Sequence, residues 1–296
     1  MSDPRQRFSR RKLLTRTLGV GVAAATVSRA SAASRTSTAA RHEASADDPL
    51  AADFVHTLYR RIRFGADGSS VYWWLRGTRF GLVDNVLTPF FDMHVGSIHR
   101  RRDLDAERYE ISTAAAIYYT AVGANALLER WDNPVTGRSV RFEYAAPRIA
   151  TATYSLRSGP LAEPEPPGMR AERTHFLGPA RRDAGRIWLD EATHVRVDRG
   201  TRPPMKVHDL YTYSVAEADL ARTEAREPGG YTPALAAFND FNDWSPRFEM
   251  GDQPGSSISR CGGSKVGTQA AMPAIWRSLH TALYPRSFAP LQAARE

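Results

Sequence analysis

The segment Val71-Tyr72-Trp73-Trp74-Leu75-Arg76-Gly77-Thr78-Arg79-Phe80-Gly81 concentrates aromatic and β-branched residues in one run that ends at a glycine. This composition is typical of a β-strand. Because side chains alternate between the two faces of a strand, Trp73 points to one face and Trp74 to the other. We therefore expect the interior of a barrel or sandwich on one side and a covering helix or loop on the other. Arg76 would then need a carboxylate or carbonyl partner.

Other apolar runs with partial alternation extend this pattern along the chain. They predict strands at residues 88–98, 109–120, 126–131, 140–142, 175–177, 186–197 and 205–213. Short helices are predicted at residues 50–58, 215–224 and 273–283. Residues 59–64 are expected to be extended and to form a hairpin with the tryptophan strand. Strands that follow strands favour a mainly β fold, a single antiparallel barrel or sandwich of lipocalin-like build with two or three short peripheral helices.

The first residues resemble an export signal. Arg10 and Arg11 form a twin-arginine pair, the apolar stretch 18–27 follows, and Ala30-Ser31-Ala32 matches a small-residue cleavage site. We interpret residues 1–32 as a twin-arginine signal peptide, 33–49 as a disordered leader, 50–285 as one β-rich domain and 286–296 as a C-terminal tail. The expected location is periplasmic or extracellular, and the export machinery is an expected partner. The apolar stretch is shorter than the ~20 residues of a membrane span, so no stable anchor is expected.

The positive charge of the chain is concentrated in the expected signal peptide, residues 1–32. Residues 1–32 hold seven Arg or Lys and one acid, so +6 of the formal charge of +8 lies there and +2 remains elsewhere. The remaining charge of +2 is too small to produce the positive surface potential that attracts nucleic acid, which we exclude as a partner.

Cys261 is the only cysteine. It rules out an intramolecular disulfide, and its glycine neighbours indicate a loop thiol with no nucleophilic role.

The segment Trp131-Asp132-Asn133-Pro134-Val135-Thr136-Gly137 predicts a turn that returns the chain as an antiparallel hairpin. Asn before Pro initiates a turn, and Gly137 accommodates left-handed geometry. A ligand contact by Asp132 or Asn133 is the alternative interpretation, although turn chemistry already accounts for both residues.

Three motifs together resemble the family named domain of unknown function 1838, whose bacterial members often carry a twin-arginine leader. They are the tryptophan strand, the turn that begins at Trp131, and Asp243-Trp244-Ser245-Pro246-Arg247-Phe248-Glu249-Met250-Gly251-Asp252-Gln253-Pro254-Gly255. The resemblance spans about residues 53–285. It implies one exported β-rich domain and transfers no activity and no catalytic residue.

Motifs of the common enzyme classes are absent from the sequence. There is no H-E-x-x-H, no paired-cysteine metal spacing, no G-x-S-x-G and no Walker loop, and Gly262-Gly263-Ser264-Lys265 lacks the spacing of a phosphate loop. No metal site is predicted, and the sequence names no cofactor. His94 and His99 are expected on opposite faces of one strand, while His194 and His208 are expected to meet across a sheet.

The candidate ligand-binding residues are rings and polar groups expected inside the barrel or at its mouth: Trp73, Trp74, Arg76, Tyr118, Tyr119, His208, Tyr211, Trp244, Asp252 and Lys265. The last three are expected to close one mouth of the barrel through a rigid loop. The alternative is that the aromatic residues only fill the core and that Asp252 belongs to a turn.

Two functional hypotheses follow, together with a third in which the protein is a structural envelope component without a pocket. The first is an exported barrel that binds a hydrophobic or aromatic small molecule. The second is a cofactor-free isomerase, cyclase or hydrolase on the same scaffold, with His208, Tyr118 and Arg76 as acid and base groups.

Overall fold

Strand β1 (Ser70–Val83), which contains the tryptophan pair, lies near the middle of a large antiparallel sheet. The computed structural model describes residues 54–161, 170–198, 204–224 and 230–292. The expected signal peptide with Arg10 and Arg11, and the expected leader, lie outside these described residues.

The secondary structure elements are numbered in chain order. The strands are β1 (Ser70–Val83), β2 (Val86–Asp103), β3 (Arg108–Thr120), β4 (Arg130–Asp132), β5 (Ser139–Arg141), β6 (Ala150–Ser155), β7 (Gly159–Pro160), β8 (Arg170–Leu177), β9 (Arg181–Asp183), β10 (Arg186–Asp198), β11 (Met205–Ala216), β12 (Leu235–Asn242) and β13 (Ser256–Val266). The helices are α1 (Val55–Arg63), α2 (Glu217–Glu224), α3 (Ala274–Leu283) and α4 (Ala289–Gln292), with 3₁₀ turns at Pro246–Phe248 and Gln269–Ala271.

One sheet contains all strands except the hairpin β4–β5. Its order is β7-β6-β3-β2-β1-β13-β12-β11-β10-β8, with β9 attached to β10, and all neighbours are antiparallel. The sheet curls into a nearly closed barrel. Its two end strands approach each other, since a Cβ built on Gly159 of β7 would lie 3.0 Å from Nδ1 of His175 on β8. The mainly β fold expected from the sequence is confirmed.

Strand β1 has two covered faces, as its alternation predicts. Trp73 and Leu75 point into the barrel with the main core cluster. Tyr72 belongs to a second cluster outside the barrel, and Trp74 packs against that cluster. Arg76 is exposed, so the carboxylate or carbonyl partner expected for a buried guanidinium is not required.

Helix α3 covers the outside of β2 and β3, and Gly96 allows it to approach closely. Trp276 is 1% exposed, and a Cβ on Gly96 would lie 2.1 Å from an atom of its ring system. Only glycine leaves room for the indole at this position. The packed chain continues past the expected boundary at residue 285, because Phe288 and Leu291 are both buried in the same cluster.

The turn that begins at Trp131 forms the predicted hairpin, β4 paired with β5. The Oδ1 of Asn133 accepts hydrogen bonds from the backbone N–H groups of Val135 and Thr136 at 2.9 and 3.3 Å. Its Nδ2 donates to the carbonyl of Phe248 at 2.8 Å. Asn133 therefore stabilises the turn and joins it to the later motif.

Residues 59–64 differ from the prediction. They form the last turns and the C-terminus of α1 rather than an extended hairpin arm. Tyr59 and Ile62 are fully buried inside the barrel, so the helical conformation is stabilised by tertiary packing.

The sequence also missed strands β12 and β13. Glycines weaken the strand pattern of β13, but Gly263 is needed there, because a Cβ would lie 1.8 Å from the carbonyl oxygen of Trp74. Cys261 lies within this strand and is buried, which corrects the expected loop position. Burial raises the pKa of its thiol to about 12, which keeps the sulfur protonated.

Within the described part of the chain, no helix combines the length and apolarity that crossing a membrane requires.

We predict that Gly96→Ala destabilises the protein by about 1–3 kcal/mol, because the added methyl group overlaps the ring of Trp276. Urea denaturation measures the change. Gly262→Ala is the matched control, since its Cβ would meet nothing closer than 3.9 Å. Equal free energies of unfolding for the two variants would contradict the packing of α3 on β2.

Candidate functional site

A cavity of about 410 Å³ lies inside the barrel. Its walls are largely apolar and aromatic, with Trp73, Tyr211 and Phe238 as the principal rings. Its polar lining residues are Arg63, Arg79, Ser97, His99, Thr113, Asp209, Asp240 and Asn242. A concave apolar site with a few convergent polar groups is the usual form of a small-molecule site.

Strand alternation and register bring these residues together. On β11 the inward positions are Asp209, Tyr211 and Tyr213, and on β12 the position opposite Asp209 is Asp240. Tyr211 lies opposite Phe238, and their ring centroids are 4.6 Å apart. Adjacent rows of the sheet therefore supply an aromatic wall and a pair of carboxyl groups.

An ion pair between Arg63 and Glu191 lies at one end of the cavity. Glu191 is 3% exposed, and both of its oxygens accept from Nη1 of Arg63. Tyr59 and Tyr213 each donate a hydroxyl hydrogen bond to this carboxylate at 2.7 Å, and Nε2 of His175 lies 3.0 Å from it. Elements α1, β8, β10 and β11 thus meet at one carboxylate.

Glu191 is ionised because its partners outweigh the effect of burial. Burial alone would raise the pKa of the carboxyl, but the charge of Arg63 and the hydrogen bonds from His175 and Tyr59 lower that pKa to about 2. A buried ion pair of this kind is stable only when its remaining hydrogen-bonding positions are filled.

The guanidinium of Arg63 has N–H groups that make no described hydrogen bond. Among the described residues, every hydrogen bond of its guanidinium leaves from Nη1, toward Tyr59 and Glu191. The side chain is 20% exposed and lines the cavity, so its Nε–H and Nη2–H groups are open to a bound acceptor. The indole Nε1 of Trp73 donates to the backbone carbonyl of Arg63 at 2.8 Å, which fixes the orientation of that ring.

His99 stands beside this end as a neutral imidazole. Its Nε2 lies 2.9 Å from Oγ of Ser97, and its Nδ1 lies 3.0 Å from Oγ1 of Thr113. Burial, followed by the charges of Arg63 and Lys265, lowers the pKa of His99 to about 3. It therefore contributes a polar, uncharged surface at neutral pH.

The other end of the cavity holds a second ion pair, Arg79 with Asp240, and the carboxyl group of Asp209, which belongs to no ion pair. Arg79 donates to Oδ2 of Asp240 at 2.9 Å and to Oγ of Ser257 at 3.0 Å. The backbone N–H of Ser259 donates to the remaining oxygen of Asp240 at 2.6 Å. Burial, together with the carboxylates of Asp240 and Glu191, raises the pKa of Asp209 to about 6.

Of the ten residues predicted to bind ligand, the cavity is lined by Trp73 and Tyr211. Trp74 and Tyr118 lie outside the barrel, and the hydroxyl of Tyr118 is 2.8 Å from Nδ1 of His280. Arg76 is exposed on the outer face of β1. Tyr119 packs against Phe91 with a centroid distance of 4.6 Å and is not among the lining residues.

His208, Trp244 and Asp252 also lie away from the cavity lining. His208 pairs with His194 across the outer face of the sheet, as expected, with 3.1 Å between their Nδ1 atoms. Trp244 donates from Nε1 to the carbonyl of Gln253 at 2.9 Å, and Asp252 is exposed in a turn.

Lys265 is buried but holds the end of α1 rather than a ligand. Its Nζ donates to the carbonyls of Arg61, Ile62 and Phe64. A lysine placed at the last carbonyls of a helix satisfies their hydrogen bonds and interacts favourably with the helix dipole.

The catalytic candidates His208, Tyr118 and Arg76 are not brought together. His208 and Arg76 lie on different parts of the outer surface, and Tyr118 is buried beneath α3. The histidine pair His94 and His99 does point to opposite faces of β2, as predicted, since His99 lines the cavity and His94 lies directly opposite the outward-facing Arg76 of β1. Within the described ranges, no three His, Cys, Asp or Glu side chains converge on a possible metal position.

Sequence reasoning missed Arg63, Glu191, Asp209 and Asp240 as members of the site. The signal for Asp209 was available, because it shares a strand face with Tyr211. Arg63 was missed because residues 59–64 were expected to form an extended hairpin arm, which would place Arg63 in the sheet and not at the end of a helix.

We predict that Glu191→Gln destabilises the protein by about 3–5 kcal/mol at pH 7, because Arg63 would remain buried without a counter-charge. The folded pKa lies below the ordinary value, so the contribution of Glu191 is complete above pH ~4.5 and is lost as the pH falls toward 2. Chemical denaturation measures it. Glu107→Gln, at the exposed pair with Arg157, is the control and should change stability by about 1 kcal/mol or less. Similar losses for both variants would disprove the role of the buried pair.

We predict the opposite sign for Asp209→Asn. The folded pKa of Asp209 lies above its ordinary value, so its ionisation opposes folding above pH ~6 and has no effect below pH ~4. The variant should exceed the wild type in stability by about 1–2 kcal/mol at pH 8 and match it at pH 3.5. Thermal denaturation at both pH values tests this, and a variant that is less stable at pH 8 would contradict it.

No family model matches the chain, and no curated protein matches it. Functional inference therefore depends on the cavity and on the residues that line it.

Proposed function

We propose that this protein is an exported β-barrel that binds a hydrophobic or aromatic small molecule in its interior. The observation that carries this proposal is the 410 Å³ cavity with aromatic walls. A cavity of this size accommodates a molecule of two or three rings, and such sites are commonly found in the mouths of barrels.

The orientation of the ligand is set by few groups. Trp73 is fixed by its hydrogen bond to the backbone of Arg63, and Tyr211 and Phe238 pack against each other, so the apolar body meets rigid rings. The free N–H groups of Arg63 are placed to receive an acceptor such as a carbonyl or hydroxyl oxygen.

A cofactor-free isomerase, cyclase or hydrolase is the second candidate, and one observation favours it. Asp209 lines the cavity and has a pKa near neutrality, as a general base or acid requires. This residue takes the place of His208, Tyr118 and Arg76 in that hypothesis. Chemical conversion of the ligand during binding would select the enzyme, and its recovery unchanged would select the binding protein.

Export through the twin-arginine route remains part of the proposal and is supported by the order of the Arg pair, apolar stretch and small-residue site. We also propose membership in the domain of unknown function 1838 family, supported by the three motifs. The structure joins two of these motifs, since Asn133 hydrogen-bonds to the backbone of Phe248.

We predict that Arg10→Lys combined with Arg11→Lys abolishes export, because the pair is the element that the export machinery reads. Cell fractionation followed by mass measurement of the exported chain checks this, with cleavage expected after Ala32. Normal export of the double variant would contradict the proposed route.

We predict that the neutral aromatic probe N-phenyl-1-naphthylamine binds the wild-type barrel with enhanced fluorescence. Ala236→Phe fills the cavity, and Ala115→Trp obstructs it at an exposed lining position, so each should weaken binding about tenfold or more. Ala237→Phe is the matched control, because Ala237 is the outward neighbour of Ala236 and is exposed. Thermal denaturation verifies that each variant is folded. Equal affinity in all three variants would place the probe outside the cavity.

A further inference from the structure

Among the charged side chains that line the cavity, all but one belong to an ion pair. Arg63 is paired with Glu191, and Arg79 is paired with Asp240. Asp209 lines the same cavity, and within the described ranges no side chain or backbone group donates a hydrogen bond to its carboxyl. When Asp209 is ionised, the cavity lining therefore holds one carboxylate that has no ion-pair partner.

The groups that face Asp209 come from four elements. Asp240 on β12 lies directly opposite it, and Glu191 on β10 adds a second negative charge. The positive charges of Arg63 on α1 and Arg79 on β1 favour ionisation but are each committed to another carboxylate. The balance raises the pKa of Asp209 to about 6, so the carboxyl is mostly ionised at pH 7 and above.

An uncompensated carboxylate in an apolar cavity is unfavourable unless a partner arrives. Arg63 has a different preference. Its free N–H donors line the cavity, but its positive charge is already neutralised by Glu191. A neutral acceptor suits Arg63, and a cation suits Asp209.

We propose that the natural ligand of this cavity carries a protonated amine that binds Asp209 and a neutral hydrogen-bond acceptor that binds Arg63, joined by an aromatic or apolar body. This inference rests on the proposed function, because it requires that the cavity be the binding site. It adds the chemical class of the ligand: aromatic amines of the arylalkylamine type.

The spacing of the two ends agrees with a small molecule. Arg63 lies over the ring of Tyr211, with its Cζ 5.5 Å from the ring centroid. Asp209 is two residues away on the same face of β11, which corresponds to roughly 7 Å along the strand. The ring of Tyr211 lies between the two polar ends and packs against Phe238, so both rings can contact a bound cation.

A matched series of indoles tests the proposal. Tryptamine, tryptophol and indole-3-propionate share one ring system and carry a cation, a neutral hydroxyl and an anion. At pH 8 each competes with N-phenyl-1-naphthylamine for the full-length folded protein. We expect tryptamine to bind about tenfold or more tightly than tryptophol and indole-3-propionate to bind most weakly. At pH 4.5 the advantage of tryptamine should fall about tenfold, since Asp209 is then largely protonated.

Asp209→Asn should remove the preference for tryptamine, so that the affinities for tryptamine and tryptophol at pH 8 differ by about twofold or less. Asp252→Asn removes the same charge from an exposed turn and should preserve the preference of the wild type. Equal binding of tryptamine and tryptophol to the wild type would overturn the amine assignment while the cavity remains a binding site. So would failure of all three indoles to displace a probe that does bind. Failure of the probe itself to bind would instead refute the proposed function.

Discussion

The ion pair between Arg63 and Glu191 is the interaction on which the rest of the site depends. A carboxylate and a guanidinium inside a barrel are stable only if each remaining polar position is filled, and here two tyrosines and a histidine complete the shell of Glu191. Because these partners come from α1, β8, β10 and β11, the pair also fixes how the helix packs against these three strands. Nη1 carries all of the described hydrogen bonds of the Arg63 guanidinium, so its Nε–H and Nη2–H groups are left for the cavity.

Helix α1 is held against the barrel by Lys265, whose ammonium group donates to three carbonyls at the helix end. This contact fixes the end of α1 that carries Arg63. The hydrogen bond from Trp73 to the carbonyl of Arg63 fixes the orientation of the Trp73 ring in the cavity wall. The cavity is therefore surrounded by side chains with fixed orientations, which reduces the entropy lost on binding. Asp209 is the exception, because no described group donates a hydrogen bond to its carboxyl and burial raises the pKa of that carboxyl to about 6. A residue that opposes folding is commonly kept for function.

The sequence was sufficient for those features that depend on local pattern. Alternation in β1 correctly separated Trp73 from Trp74, turn chemistry located the β4–β5 hairpin, and the spacing of apolar residues located α3. The cross-strand meeting of His194 and His208 also followed from alternation. Features stabilised by distant contacts were missed. Residues 59–63 are helical because Tyr59 and Ile62 are buried and Lys265 caps the end, and Lys265 is more than 200 positions away. Among the site residues, Tyr211 was recognised from its strand pattern and Arg63 was missed together with its helix. Asp209 was missed although it shares a strand face with Tyr211.

A crystal structure of the protein with bound N-phenyl-1-naphthylamine would show whether the interior of the barrel is the binding site. We expect the naphthyl ring inside the barrel, between Trp73 and Phe238, with the Arg63–Glu191 pair intact. An empty cavity, with the probe bound instead on the outer face beside the exposed rings of Phe176 and Phe241, would contradict it.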